Sequence, residues 1–461
     1  MKLILLSGGS GKRLWPLSND ARSKQFLKVL PKLDSQDKGL QSMVQRVWGQ
    51  LERLGLTQSA VIATSNSQVD MIHNQIGKNV PIIIEPERRD TYPAIALAAT
   101  YLYSSKNTDK DEIVGVLPVD PYVDDNFFKR LLDLEAVLNA SNAELALMGV
   151  QPTFPSEKYG YIIPNIEQST KEIVKVSHFK EKPNTQEAKS LIEKHALWNC
   201  GVFAFRLGKV ISLLEQNSLP TSYDQLLDNY SLLPKISFDY EVVEKTNNIV
   251  AISYDGAWKD LGTWNTLTEE MASDVIGRAN KSNDSVNTHI VNELDIPVSV
   301  LGLSNILVAA SPDGILVTDK QASPRIKELV YNLHQRPMYE ERRWGWYRVL
   351  EHTKYEDQME VLTKRINIKA GNNLSYQYHN YRKEIWTIVK GEGILLLDNE
   401  LNVIRTGDVV EIPVGVKHAV KAVTELEFIE VQTGTQLVEE DNHRILLTWD
   451  EIEDSVYSLN K

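Results

Sequence analysis

The run Ser7-Gly8-Gly9-Ser10-Gly11-Lys12-Arg13 joins bare backbone to positive charge, and Lys24 follows eleven residues after Arg13. Glycines let main-chain N–H groups close on phosphate oxygens, while Lys12, Arg13 and Lys24 supply neutralising charge. That is chemistry for nucleotide phosphates. Two common phosphate loops do not fit. A Walker A loop needs a glycine where Leu6 stands and Ser or Thr where Arg13 stands; the dinucleotide fingerprint needs a glycine at Leu14. An ordinary strand-to-helix turn would need one glycine and no cluster of cations. Further along, carboxylates stand just beyond apolar runs. Val114–Leu117 leads into Pro118-Val119-Asp120, and Asp260 sits in the turn Trp258-Lys259-Asp260-Leu261-Gly262. A carboxylate at a strand end suits a hard divalent cation shared with substrate phosphates, which makes Asp120 a metal candidate, with Asp260 on offer as the second carboxylate.

Positioning these groups requires alternating strands and helices. Short apolar runs at 2–6, 60–63, 82–84, 113–117 and 145–150 read as strands. Helical patterns near 40–53, 68–77, 93–105 and 126–139 lie between them. The alternation predicts an α/β domain with a mostly parallel sheet and helices on both faces. Ligands of such sheets bind beyond the carboxyl ends of the strands, where the glycine loop falls. From about 284 to 330 short apolar runs alternate with turn pieces, which predicts stacked short strands. A polar, basic linker is expected over roughly 332–343, and an all-β region from Trp344 to about Trp449.

At 461 residues the chain should hold two or three domains. A net charge of −12 argues against nucleic-acid binding but leaves room for a local cationic pocket. The single cysteine, Cys200, excludes an internal disulfide and fits a reducing, cytoplasmic setting. The apolar start is too short for a signal peptide, and no stretch reaches membrane-spanning length, so no membrane partner is expected.

The string G-G-x-G-x-R-L-W-P-L-S at 8–18, followed by K-Q-F-L at 24–27, resembles the sugar-1-phosphate nucleotidyltransferases, and most of all the mannose-1-phosphate guanylyltransferase branch. Lys12 departs from the family, which has Thr there; Pro121 replaces the His that follows the family's first aspartate. The resemblance implies a Rossmann-like, GT-A-like mixed sheet at 1–275, a short left-handed β-helix at 276–335 and a C-terminal cupin at 336–461. It implies that Asp120 and Asp260 bind Mg2+, since the family's magnesium aspartates lie in L-P-x-D and W-x-D-x-G-x-W. Ser7, Gly8, Gly9, Ser10, Gly11, Lys12, Arg13, Glu85, Arg89, Asp90 and Thr91 would contact the nucleotide. Tyr159, Gly160, Glu181, Lys182, Asn199 and Asp239 fall in the family's sugar-phosphate segments Y-G-Y-I, F-x-E-K-P, W-N-x-G and S-x-D-Y. Arg13, Lys24, Asp120, Lys182 and Asp260 are the expected catalytic set. The implied reaction joins GTP and mannose 1-phosphate into GDP-mannose and pyrophosphate. Other readings are a different sugar 1-phosphate, such as a manno-heptose, a different nucleotide, or a non-catalytic nucleotide-sugar sensor.

A second spacing lies in the C-terminal region. Gly371 precedes Gln377-x-His379 by five residues, Glu384 follows after four, and Gly391 after six; Gly407, Pro413-x-Gly415 and His418 come later. This resembles the two cupin motifs. Residues two apart on a strand share a face, so Gln377, His379, Glu384 and His418 are expected to converge on a divalent transition metal such as Zn2+. The run Gln377 to Trp386 resembles, more narrowly, the type II mannose-6-phosphate isomerase domain. That implies interconversion of mannose 6-phosphate and fructose 6-phosphate, with Arg444 on the sugar phosphate. Asn442 replaces the family's Ile. A cupin that only stabilises a dimer or binds product is the other reading, and a homodimer is the expected assembly.

Overall fold

The computed structural model describes residues 1–9, 11–19, 21–33, 39–170, 173–333 and 335–459. Ser10, one of the expected nucleotide contacts, lies outside them. The chain forms two compact units. The first comprises Met1–Leu14, Ser23–Asp274 and Asp319–Lys327; the second comprises Trp15–Arg22, Val275–Thr318 and Glu328–Lys461.

The first unit is built on a nine-stranded sheet. Its order is Ile82–Glu85, Ala60–Ser65, Lys2–Ser7, Ile113–Pro118, Leu197–Arg206, Leu145–Val150, Ile249–Tyr254, Val174–Lys180, Tyr161–Pro164. The first four strands are mutually parallel. Leu197–Arg206 then runs antiparallel to both of its long neighbours, so the sheet is mixed. Alternation along a strand sends neighbours to opposite faces. Leu3 and Leu5 join one core with Val47, Leu51, Phe127 and Leu131, while Ile4 joins another with Tyr92, Ile95 and Leu97. Both faces are therefore covered by helices. Helix Met43–Arg53 starts with a reciprocal Ser42–Gln45 capping box. Helix Thr91–Thr100 is buried at every position from Tyr92 on, which explains its nearly continuous apolar sequence.

The second unit opens with short strands in parallel register. Val275–Gly277 pairs with His289–Asn292, which pairs with Ile306–Ser311; Ala279–Lys281 pairs with Val298–Val300. The stack begins at Val275, ahead of the expected start near 284, because three-residue strands such as Ala279-Asn280-Lys281 carry little apolar signal. The helix Ile326–Val330 falls where the sequence predicts further strands. Two antiparallel sheets follow, of six and five strands, around a core that includes Leu362, Trp386, Leu395, Val420 and Phe428. The expected linker over 332–343 ends instead in a strand, Tyr339–Arg342, paired with Gly345–Lys354. Its charges hide it: Glu340 is buried and ion-paired to Arg342. Helix Trp449–Leu459 is the last described element, packing Trp449 and Ile452 against Tyr376, Leu396 and Ala419.

Candidate active site and candidate metal centre

Asp120 follows strand Ile113–Pro118, and Asp260 ends strand Trp258–Asp260. A two-stranded ribbon brings them together, because Asp260 pairs with Pro121. Pro121 is thus the ladder neighbour of one carboxylate and follows the other in sequence. Lys24 joins the two: its Nζ lies 2.7 Å from Oδ2 of Asp120 and 2.9 Å from Oδ1 of Asp260. Burial alone would lower the Lys24 pKa, but the two carboxylates overcome it and hold the ammonium well above its usual range. Burial pushes Asp260 up, and Lys24, then Arg13 and Lys158, bring it net below the usual carboxylate range. Two hard oxygen donors converging on one cationic position fit a divalent ion.

Arg13 stands on the short turn Gly11–Leu14, exposed and within electrostatic reach of Asp260 and Tyr159. Lys12 is half-buried. The loop itself is fastened from below by a buried network in which Ser23, Thr64 and Gln68 belong to no motif. Ser7, Ser23, Gln25, Thr64 and Gln68 are all buried. Gln68 Oε1 accepts from Ser7 Oγ at 3.4 Å, Gln25 Nε2 at 3.2 Å and Thr64 Oγ1 at 3.2 Å. Gln68 Nε2 donates to Ser23 Oγ at 2.8 Å, and Ser23 Oγ donates to the Gly9 carbonyl at 3.0 Å. Gln25 Nε2 also lies 3.4 Å from the Gly8 carbonyl.

The run after strand Ile82–Glu85 is tied to residues 230–238. Glu85 accepts from the Tyr230 hydroxyl at 2.8 Å, and burial raises its pKa. Arg89 pairs with Glu87 and donates to the Leu233 carbonyl at 2.8 Å. Thr91 Oγ1 accepts from the Phe238 N–H at 2.8 Å. Asp90 caps helix Thr91–Thr100 from a positive φ of 72°, a costly conformation for a residue with a Cβ. Its charge acts on Glu181 and Asp239, so it lies on the sugar side of the expected set.

That side is a compact polar cluster. Asn199 Nδ2 donates to Asp239 Oδ1 at 2.7 Å, and the Asn199 N–H donates to the Gly160 carbonyl at 2.8 Å. Glu181 is buried and accepts from Lys182 Nζ at 2.5 Å. Lys182 itself takes a positive φ of 45°. Burial raises the Glu181 pKa despite that lysine, and burial together with the Glu181 charge pushes Asp239 up to about 7. Tyr159 packs on Trp198 and Trp258 with ring centroids 4.9 and 5.5 Å away, and burial beside Asp260 pushes its hydroxyl up to about 12.

In the second unit, His379, Glu384 and His418 are buried, and one ligand atom from each lies within 4.8 Å of the others. Both imidazoles use Nδ1 on a backbone carbonyl: His379 on Asp441 and His418 on Val416, each at 3.0 Å. A carbonyl only accepts, so each Nδ1 carries the proton and each Nε2 presents a lone pair. Those Nε2 atoms lie 3.1 and 3.8 Å from Glu384 oxygens and have no hydrogen-bond partner. Two buried lone pairs facing a carboxylate fit a divalent transition metal. Glu384 is held by Arg382 Nε at 3.0 Å, Gln432 Nε2 at 3.1 Å and Trp386 Nε1 at 3.1 Å. Gln377, the fourth expected ligand, pairs with His418 in the ladder, but its side-chain oxygen accepts from Ser375 Oγ at 2.8 Å. Arg444 is exposed and pairs with Gln377. Asn442 accepts from Arg382 Nη2 at 2.6 Å, a bond the family's Ile could not make.

Comparison with known proteins agrees with this two-part design. Residues 2–275 match the nucleotidyl transferase family, and residues 330–446 match the mannose-6-phosphate isomerase C-terminal family. A mannose-1-phosphate guanylyltransferase of Salmonella montevideo is 30% identical over 477 residues, covering 95% of this chain and 97% of that protein. The alginate biosynthesis protein AlgA of Pseudomonas syringae pv. tomato is 30% identical, covering 96% of this chain and 95% of its own length. A solved structure from Thermus thermophilus, described as a mannose-1-phosphate geranyltransferase, superposes with a TM-score of 0.60 at 28% identity, covering 72% of this chain and 99% of that one. The chain belongs to the mannose-1-phosphate guanylyltransferase family, in the form that carries a mannose-6-phosphate isomerase-type C-terminal domain.

Proposed function

We propose that the first unit joins GTP and α-D-mannose 1-phosphate to give GDP-mannose and pyrophosphate. The observation that carries this reading is the convergence of Asp120 and Asp260 on Lys24, with Arg13 and Lys158 acting on the same carboxylate. A phosphate oxygen of the sugar phosphate attacks the α-phosphorus of GTP, the α–β bridging bond breaks, and pyrophosphate leaves. Magnesium held by Asp120 and Asp260 would neutralise charge on both phosphates. Arg13, Lys24 and the glycine-loop amides hold the triphosphate, while Lys182 holds the phosphate of the sugar. Glu181 and Asn199 accept from and donate to sugar hydroxyls, with Asp239 fixing the Asn199 amide. Catalysis is then alignment and charge neutralisation, without a covalent enzyme intermediate.

For the second unit the proposal is interconversion of mannose 6-phosphate and fructose 6-phosphate. The unpartnered Nε2 atoms of His379 and His418 beside Glu384 support it. A divalent transition metal held there, zinc or a similar ion, would polarise the sugar carbonyl. Arg382 and Gln432 fix the carboxylate that would share in binding it. The division at 275 and 335, a left-handed coil for the stacked strands, a cytoplasmic location and a homodimer complete the proposal. Exposed Leu301, Ile315 and Val317 on and near those strands support the dimer. Among the described residues, no helix is long and apolar enough to cross a membrane.

Pyrophosphate release from GTP and mannose 1-phosphate with magnesium tests the first activity; conversion of mannose 6-phosphate tests the second. No pyrophosphate with GTP, but release with another nucleotide or sugar phosphate, would overturn the substrate assignment.

A further inference from the structure

Gln68 lies on helix Asn66–Ile76, outside every motif, and makes four buried hydrogen bonds beneath the glycine loop. Its oxygen gathers Ser7, Gln25 and Thr64, and its amide donates to Ser23. Ser23 passes its own proton to the Gly9 carbonyl, and Gln25 reaches the Gly8 carbonyl. Two consecutive carbonyls of the loop are thereby turned toward protein donors, although Gly8 and Gly9 are themselves exposed.

A carbonyl oxygen facing an approaching phosphate would repel it; an N–H would attract it. The direction of each peptide plane therefore decides whether a glycine loop is an anion cradle. Glycine leaves that direction free, and Gly9 sits at φ 111°, where residues with a Cβ rarely go. Something outside the loop has to set it. We infer that Gln68 is a positioning residue for nucleotidyl transfer, which through Ser23 holds the Gly9 carbonyl away from the triphosphate. Gln68 touches no substrate. The inference rests on the nucleotide-site reading of the loop and adds a residue to its machinery.

The relay has a direction that can be tested. Ser23 Oγ accepts from the Gln68 amide and is thus left to donate to Gly9. In Gln68→Glu the acceptor for Ser7, Gln25 and Thr64 survives, but the donor is lost. Ser23 then donates to the new carboxylate and releases Gly9. Ser23→Ala breaks the same link by removing one hydroxyl.

The experiment is calorimetric titration of the full-length protein with GTP and magnesium, beside steady-state kinetics for both substrates. Gln68→Glu, Gln68→Met and Ser23→Ala should each weaken GTP binding about tenfold, the scale of one lost buried hydrogen bond. The KM for mannose 1-phosphate should stay within about twofold, and the Gln68→Met/Ser23→Ala pair should be no worse than Gln68→Met, because both remove one link. Wild-type GTP affinity in a folded Ser23→Ala or Gln68→Glu protein overturns the inference, and so does an equal loss for both substrates. If Gln68→Met does not fold, Ser23→Ala carries the test. If the wild type binds GTP but releases no pyrophosphate, the proposed activity falls while the binding series still judges Gln68. If it binds no GTP, both fall.

Discussion

Gly160 offers the most direct check on the sugar side of the site. A Cβ there would lie 2.4 Å from Cζ of Phe179 and 2.5 Å from Oε2 of Glu181, about 1 Å inside the 3.4 Å where ordinary contact begins. Phe179 has little room to retreat. It is buried in the core, and its backbone is fixed opposite Ile162 in the ladder. The Phe179 ring must shift all the same, and independently the Glu181 carboxylate must give way in Gly160→Ala by about 1 Å, disturbing its bond to Lys182. A displacement of that size at a positioned group costs on the order of 10²-fold in rate. Overpacking adds roughly 1–3 kcal/mol of destabilisation. The assay is pyrophosphate release with mannose 1-phosphate varied at saturating GTP, beside the thermal midpoint. The expected result is a fall of about 10²-fold in kcat/KM for mannose 1-phosphate, with the KM for GTP nearly unchanged. A lower midpoint with kcat/KM within about twofold of wild type would refute the reasoning and leave Gly160 a packing residue.

Asp120→Asn should lower pyrophosphate release by about 10²–10³-fold while the protein stays folded by circular dichroism; near-normal turnover would remove Asp120 from the metal site. Asp239 keeps its proton to about pH 7 when folded and loses it near 3.8 when unfolded. The folded state therefore binds more protons between those values, so stability falls as pH rises through that window. Asp239→Asn should flatten that part of the thermal midpoint's pH dependence, and an unchanged slope would contradict the burial argument. His379→Ala should abolish mannose 6-phosphate isomerisation and lower metal content measured by mass spectrometry, yet spare nucleotidyl transfer. Asn442→Ile leaves a buried Arg382 N–H without its 2.6 Å acceptor and should cost about 1–3 kcal/mol in urea unfolding.

Five of the nine sheet strands of the first unit are legible because each is a short apolar run ended by turn residues, and Leu145–Val150 matches residue for residue; Tyr161–Pro164, Val174–Lys180, Leu197–Arg206 and Ile249–Tyr254 are not among the strands expected from the sequence. Asp120 and Asp260 are legible from motif; their approach to one another is not, since it depends on pairing between strands well apart in sequence. The motif places Lys24 on the triphosphate, and only the fold reveals that its ammonium lies between both aspartates. The Gln68 network is invisible in the sequence: one glutamine on a helix has no periodicity, and its partners come from separate segments. In the C-terminal unit the spacing marks His379, Glu384 and His418, but it carries no hint that Ser375 would occupy the Gln377 amide. Asn442 looks like a blemish in a motif, and its partner Arg382 explains it. Strand Tyr339–Arg342 reads as a linker because its buried charges are paired within the fold, which composition alone does not reveal.

The excursion Trp15–Arg22 bears on how such a protein could be inherited or divided. It leaves directly after the glycine loop and returns just before Lys24, yet it belongs to the second unit. There Arg22 forms a two-pronged pair with Glu293 at 2.8 and 2.9 Å, Asn19 donates to Asp313 at 2.8 Å, and Ser311 donates to the Pro16 carbonyl at 2.7 Å. A polypeptide stopped at Asp274 would keep the excursion and lose all three partners. The two units are thus interleaved along the sequence. Recombination that swaps everything after Asp274 must also supply a surface that accepts these eight residues, whereas a chain cut after Thr318 keeps Glu293, Ser311 and Asp313.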